Sequence, residues 1–378
     1  MDSARRGFLL LSFFSDFAFA APLIWAVSFF LGLTIVIVLF VVIGFVLHLR
    51  NEKKSQHWKS REQKWEPLLL AIYAEKSPLE DLWNAVDSEE ERYFLDYLVQ
   101  QVNRHSAPWR FSGAYAKTSA LSAPYLHHLY PHLNHPNVFK RSRAVDTLGK
   151  LAPELHRPHL HTALKDTETE VAFVAFRSLI YHANAEDCKL LVKHYSRFQN
   201  FQPAYMAILM GHLPPENTAT ALVTIALKTQ NSTTAASKWE RMVALQTLER
   251  WPAQSEHAGA LAALAMAEEE KSLLIKGLIL RVLLRWQSHD LLKEVVLAFA
   301  AHPSDYLRAH AMFSLGQYPF ARHQELLELG LGDACRWVSM EAAQSLDYLE
   351  QTHRQHERKI SCSLLTYSQH YSKDEVFV

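Results

Sequence analysis

The sequence predicts an all-α protein, an N-terminal transmembrane helix followed by an α-solenoid of stacked helix pairs. Three observations carry this fold class. First, a pattern returns every 31 residues, so that Leu133, Ala144 and Leu148 reappear as Leu164, Ala175 and Leu179, and Ala311 and Leu315 as Ala342 and Leu346. A pair of short helices cannot bury its apolar face alone, so a period of this length implies neighbours stacked into an array with one extended surface. Second, no charged residue lies between Asp16 and His48, and Leu23 to Leu47 reads LIWAVSFFLGLTIVIVLFVVIGFVL. At about 1.5 Å per residue such a helix crosses the roughly 30 Å hydrocarbon core with room for tilt. Third, 378 residues include only 11 glycines, and abundant Leu and Ala favour helices over strands.

Taken in order, residues 1–20 form an apolar segment with an opening Arg5-Arg6 and a small-residue ending like a cleavage site. Asp16 interrupts it and the remainder is too short to cross, so an interfacial helix is expected. Residues 21–49 are the transmembrane helix and residues 50–66 a basic juxtamembrane helix or linker carrying Arg50, Lys53, Lys54, Lys59, Arg61 and Lys64. Against Arg5 and Arg6 on the other side, these charges place the C-terminal domain in the cytoplasm by the positive-inside rule. Trp58 and Trp65 are expected near the membrane interface. Residues 67–117 are a helical cap, with Pro78 at a helix start and Ser88 and Glu91 spaced as a capping box. Residues 118–352 are the array, about seven helix pairs, least regular from 190 to 235, with NSTTAAS at 231–237 as a loop. Residues 353–378 are a C-terminal tail in which the periodicity is lost.

Within the array, His135-Pro136, Asp166, His302-Pro303 and Asp333 mark the junctions, each nine residues ahead of an aligned alanine. These motifs resemble HEAT repeats in the short form of the bilin-lyase-like HEAT family, over roughly residues 118–350. With the span in front, the whole resembles bacterial membrane-anchored HEAT-repeat proteins. Arg141, Arg241, Lys276 and Arg308 stand three residues before the aligned position in four of six copies. As a basic stripe they are the candidate partner-binding residues. The resemblance also implies a structural alternative, in which arginines here pair with acids at the neighbouring inter-helix turn, the place of Asp166, Glu270 and Asp333.

Chemistry is sparse. Formal net charge is zero, with 39 basic and 39 acidic residues, which removes the electrostatic argument for nucleic acid. Cys188, Cys335 and Cys362 are far apart and indicate neither zinc nor disulfides. Seven histidines fall between 127 and 161, and the four-residue spacing of His128 and His132 puts both on one helix face, as a metal site uses. A HEAT enzyme class similar to deoxyhypusine hydroxylase binds two irons through His-Glu dipeptides on successive helix pairs. Here the single dipeptide, His356-Glu357, lies outside the array. No cofactor, no metal, no small-molecule ligand and no enzymatic activity are therefore expected.

The function expected is that of a single-pass inner-membrane protein whose cytoplasmic array is a scaffold or adaptor. It docks or regulates a membrane-associated protein, by resemblance a membrane glycosyltransferase or polysaccharide-export component. The alternative is a metal- or tetrapyrrole-handling enzyme or lyase using the segment 127–161.

Overall fold

The computed structural model describes residues 2–104, 112–228, 235–318 and 323–371. Among them every regular element is helical, and the chain divides into two compact units, Met1–Tyr125 and Leu126–Val378.

The first unit is built on α1 (Asp2–Tyr73), one uninterrupted helix of 72 residues. Its stretch from Leu31 is long and apolar enough to cross a membrane by length and composition, and is covered by no protein. Phe40 and Val41, for example, are 71% and 64% exposed. An exposed apolar surface of this extent is unusual on a soluble protein. Further along, Trp65, Leu69 and Ile72 turn inward and are buried. They recur at intervals of four and three, so they share one helix face. At α3 (Glu91–Arg104) the Trp65 ring meets Phe94 edge-on at 5.2 Å and Tyr97 at 5.4 Å.

Trp65 is thus fully enclosed in the soluble core rather than placed at the membrane interface, and the juxtamembrane segment 50–66 is helix throughout. Its basic side chains hold it to the unit. Arg61 Nε donates to Glu90 Oε1 at 2.9 Å, Lys64 Nζ to Asp87 Oδ2 at 3.0 Å, and Arg104 to Glu62 at 2.7 Å. α3 begins only at Glu91, so Ser88 stands outside the N-cap position that the expected Ser88–Glu91 capping box requires. Two further helices complete the unit, α2 (Leu79–Asn84), led in by Pro78, and α4 (Gly113–Ser122). Lys117 on α4 closes the end of α1 by donating to the Ile72 and Tyr73 carbonyls, the first of which also accepts the Glu75 N–H at 3.1 Å. Glu75 then takes a left-handed conformation, φ 59°.

The second unit is a helical repeat array of seven pairs among the described residues. They are α5 (Tyr130–Leu133) with α6 (Val138–Leu151), α7 (Arg157–Ala163) with α8 (Thr169–Ile180), and α9 (Ala185–His194) with α10 (Pro203–Met210). Next come α11 (Pro215–Ala226) with α12 (Ala235–Leu248), and α13 (Ser255–Met266) with α14 (Leu273–Trp286). The last are α15 (His289–Ala300) with α16 (Asp305–Gln317), and α17 (His323–Leu331) with α18 (Arg336–Tyr371). Even-numbered helices pack on one another in succession from α6 to α18 as one layer, and α9, α11, α13 and α15 form part of a second. The aligned positions Ala144, Ala175, Ala244, Ile279, Ala311 and Ala342 are all at most 2% exposed, so the 31-residue period reports the face turned to the core.

The irregular middle of the array has a short α10 and a 3-10 turn at Tyr195–Phe198. Of the expected loop 231–237, residues 231–234 lie outside the described residues, while 235–237 already belong to α12. In the tail, α18 continues as helix to Tyr371. Residues 372–378 lie outside the described residues.

Close approach of successive even-numbered helices depends on two glycines. A Cβ added at Gly149 would lie on the Ser178 side chain, and one at Gly316 would come within 2.6 Å of Ser345 Cβ and 2.9 Å of its Cα. Gly316→Ala gains helix propensity of about 1 kcal/mol. The clash reaches backbone, however, and overpacking of this kind costs about 1–3 kcal/mol. We expect a net loss of stability of about 1 kcal/mol, read from urea unfolding of the variant.

Candidate docking groove

The four cations singled out by the sequence are held inside the array. Arg141 makes a two-pronged bond to Asp166, Nε to Oδ2 at 2.9 Å and Nη2 to Oδ1 at 3.0 Å, while Nη1 donates to the His135 carbonyl at 2.8 Å. Arg308 repeats this with Asp333, at 2.7 and 2.9 Å, and with the His302 carbonyl at 3.0 Å. Arg241 pairs with Glu270 and donates Nε to the Ala226 carbonyl at 3.0 Å, and Lys276 donates to the Ala267 carbonyl at 2.9 Å. Each therefore ties an even-numbered helix to an adjacent turn. Arg141, Arg241 and Arg308 thus make the acid pairs of the structural alternative, while Lys276 is bonded to a backbone carbonyl.

The ladder sets an acid limit to stability. At Asp333 the Arg308 hydrogen bond holds the carboxyl below the ordinary aspartate value of 3.8. At Asp166 burial pushes the pKa up, but the Arg141 bond and backbone N–H donation outweigh it, so the net shift is also downward. A depressed carboxylate pKa contributes stability that is complete above the unfolded value and lost as pH falls through the folded one. Thermal melts should therefore fall as pH drops below about 4. Arg308→Ala should flatten that part of the profile.

The histidines of 127–161 fall largely in neighbouring couples, with ring centroids 4.0 Å apart for His127 and His128, 6.0 Å for His132 and His135, and 5.7 Å for His156 and His159. Helix α5 begins only at Tyr130, after a 3-10 segment over 123–129, so His128 and His132 do not share the regular α-helical face expected from their spacing. His159 stacks on Tyr130 at 5.4 Å, and His135 Nδ1 accepts the Asn137 N–H at 2.9 Å. His161 reaches Asp187 at 2.5 Å, and burial pushes its pKa below the ordinary value.

A surface better suited to recognition lies on α14, α16 and α18. A cavity of about 530 Å³ opens between Arg281 and Arg285 of α14, His310 and Phe313 of α16, and Trp337 and Glu341 of α18. Helical spacing explains the set, because 281 and 285, 337 and 341, and 310 and 313 are one turn apart and share a face. The far faces hold Leu283, Leu315 and Ala342, all buried in the core. Tyr306, His310 and Trp337 support one another edge to face, with centroids 4.5 Å apart for Tyr306–His310 and 6.2 Å for His310–Trp337. The Tyr306 ring has room because Gly277 lies beneath it, where a Cβ would come within 2.8 Å. Phe313 and Trp337 remain 41% and 39% exposed.

The polar groups of the groove divide into two kinds. Arg281 is bonded to both oxygens of Glu249, at 2.6 and 2.9 Å, and Glu341 accepts the Trp337 indole N–H at 3.1 Å. Burial first, with Arg281 adding to it, pushes His310 below its ordinary value, so at neutral pH it is an uncharged ring. Arg285, Gln287 and Gln317 line the cavity without a side-chain partner among the described residues. Sequence reasoning missed these residues. Their signal was aromatic recurrence at a solvent-facing repeat position, Tyr306 and Trp337 each five residues before an aligned alanine.

No family model matches the chain, and no curated protein matches it. Sixteen chains of solved structures do, among them human deoxyhypusine hydroxylase in complex with glycerol. That protein is similar at 18% identity over 70% of this chain and 98% of its own, with a TM-score of 0.30. The expectation that the chain is not an enzyme is corrected by this finding, since the similar protein is an enzyme by name. A likeness this distant assigns no activity to the chain.

Proposed function

We propose that the protein is a HEAT-type array fixed to a bacterial inner membrane by α1, with the array on the cytoplasmic side, and that it docks a membrane-associated protein in the groove of α14, α16 and α18. The observation that carries the reading is the groove itself, with exposed Phe313 and Trp337 beside the unpartnered Arg285. Exposed aromatics beside an arginine form the composition that dominates binding energy at protein interfaces. The uncovered apolar surface of α1 supports the anchor, and the basic residues that follow it support the orientation. By family resemblance, the partner class is a membrane glycosyltransferase or polysaccharide-export component. A photo-crosslinking residue at position 313 in intact cells tests the docking reading. A discrete adduct with a membrane protein, lost on Trp337→Ala, is expected, and an adduct pattern indifferent to that substitution overturns it.

A further inference from the structure

The formal charges of the groove cancel, Glu249 and Glu341 against Arg281 and Arg285, but they are not spent alike. Arg281 and Glu249 hold one another through both carboxylate oxygens. Arg285 has no side-chain partner among the described residues. Glu341 accepts the Trp337 indole N–H, a neutral donor that leaves the carboxylate charge uncompensated. One uncommitted cation therefore stands on α14 and one uncommitted anion on α18.

Helix α16 stands between them and packs on both. Packed helices lie about 8–10 Å apart, which puts the axes of α14 and α18 roughly 16–20 Å apart across the layer. A single small ion cannot meet both charges over that width. The surface between them is apolar and open, with Phe313 41% exposed, and His310 there is an uncharged ring at neutral pH. We propose that the partner segment held in this groove is dipolar, with a carboxylate at Arg285, a basic side chain at Glu341 and an apolar side chain between them on Phe313 and Trp337. A uniformly acidic segment gains at Arg285 and is repelled at Glu341, and a uniformly basic one meets the reverse, so the balanced charge selects against both. A wholly apolar segment covers two charges and pairs neither, which costs desolvation without return. The opposed charges also fix which way the segment lies across the three helices, because turning it end for end brings like charges together.

The inference rests on the reading of this groove as a docking site, and the test separates the two. The yield of the adduct formed from a photo-crosslinking residue at position 313 of the full chain, in intact cells, is compared with the yields after Arg285→Gln and after Glu341→Gln. Each replacement removes a charge and keeps a polar side chain. Arg285 is exposed, a glutamine at 341 still accepts the Trp337 N–H, and circular dichroism of the purified variants checks that they fold. The expected result is the same membrane-protein adduct, reduced about three- to fivefold by either replacement, since each deletes one of two complementary charges. A yield that falls in Arg285→Gln and rises in Glu341→Gln identifies an acidic segment, the reverse identifies a basic one, and no change in either identifies an apolar one. Any of these three overturns the dipolar segment and leaves the docking reading in place. Absence of a membrane-protein adduct with the parent chain itself overturns both.

Discussion

Arg241→Ala is expected to destabilise the array by about 3–5 kcal/mol, the range for breaking one side of a buried ion pair. The side chains of Arg241 and Glu270 are only 9% and 4% exposed, so water screens little of the loss. Removing the guanidinium leaves Glu270 buried with a single remaining bond, from the Ser272 N–H at 2.8 Å. It also releases the Ala226 carbonyl at the end of α11, which Arg241 Nε satisfies. The double variant Arg241→Met, Glu270→Met should recover most of that stability, because two apolar groups bury no unpaired charge. Arg281→Ala provides the contrast. Its two-pronged pair with Glu249 is 44% exposed on the arginine side, and its loss should cost at most about 1 kcal/mol. Chemical unfolding of the three variants measures the series. Equal losses for Arg241→Ala and Arg281→Ala would remove the special role given to the buried rung.

Asp187→Ala is the second large effect, an expected loss of about 2–4 kcal/mol. Asp187 is fully buried and serves three donors. Its Oδ2 accepts the Asn184 N–H at 2.9 Å, and Asn184 Oδ1 accepts the Asp187 N–H at 2.8 Å, a reciprocal cap on α9. The same carboxylate faces Arg157 and His161 of the preceding pair. The Asn184 side chain still accepts the N–H of residue 187, so only the reciprocal bond from the Asn184 N–H is lost, at about 1 kcal/mol. The remainder comes from Arg157, which keeps its bonds to the His182 carbonyl but loses its counter-charge. Because Arg157 is 20% exposed, water offsets part of that loss, so the effect stays below that at Arg241. Hydrogen exchange at the start of α9 should rise in Asp187→Ala, and unchanged protection there would show that the cap does not hold the helix.

The sequence made the array legible because its period registers which face is buried. Ala144, Ala175, Ala311 and Ala342 recur for that reason, and each lies in the core between layers. The acidic partners of the ladder arginines were legible only through the family resemblance, which implies an acid at the neighbouring turn, 25 residues on from Arg141 and from Arg308. Periodicity is silent on what covers a face. Trp65 reads as an interfacial aromatic from its distance to the span, yet α3 supplies Phe94 and Tyr97 to enclose it. The basic residues after the span read as topology signals alone, while the structure gives Arg61 and Lys64 carboxylate partners. Gly149 and Gly316 were hidden because a close approach depends on the next repeat, where Ser178 and Ser345 stand. The groove was the least legible, since Arg281, Phe313 and Trp337 come from three helices and only their packing brings them to one cavity.

The most direct test of the account is mass spectrometry of proteins recovered with the full chain after crosslinking in cells, against a control carrying residues 1–66 alone. The account predicts a membrane-associated protein enriched with the full chain, absent from the control and reduced by Trp337→Ala. Recovery of the same proteins with both baits, or of none with the full chain, would contradict a docking role for the array.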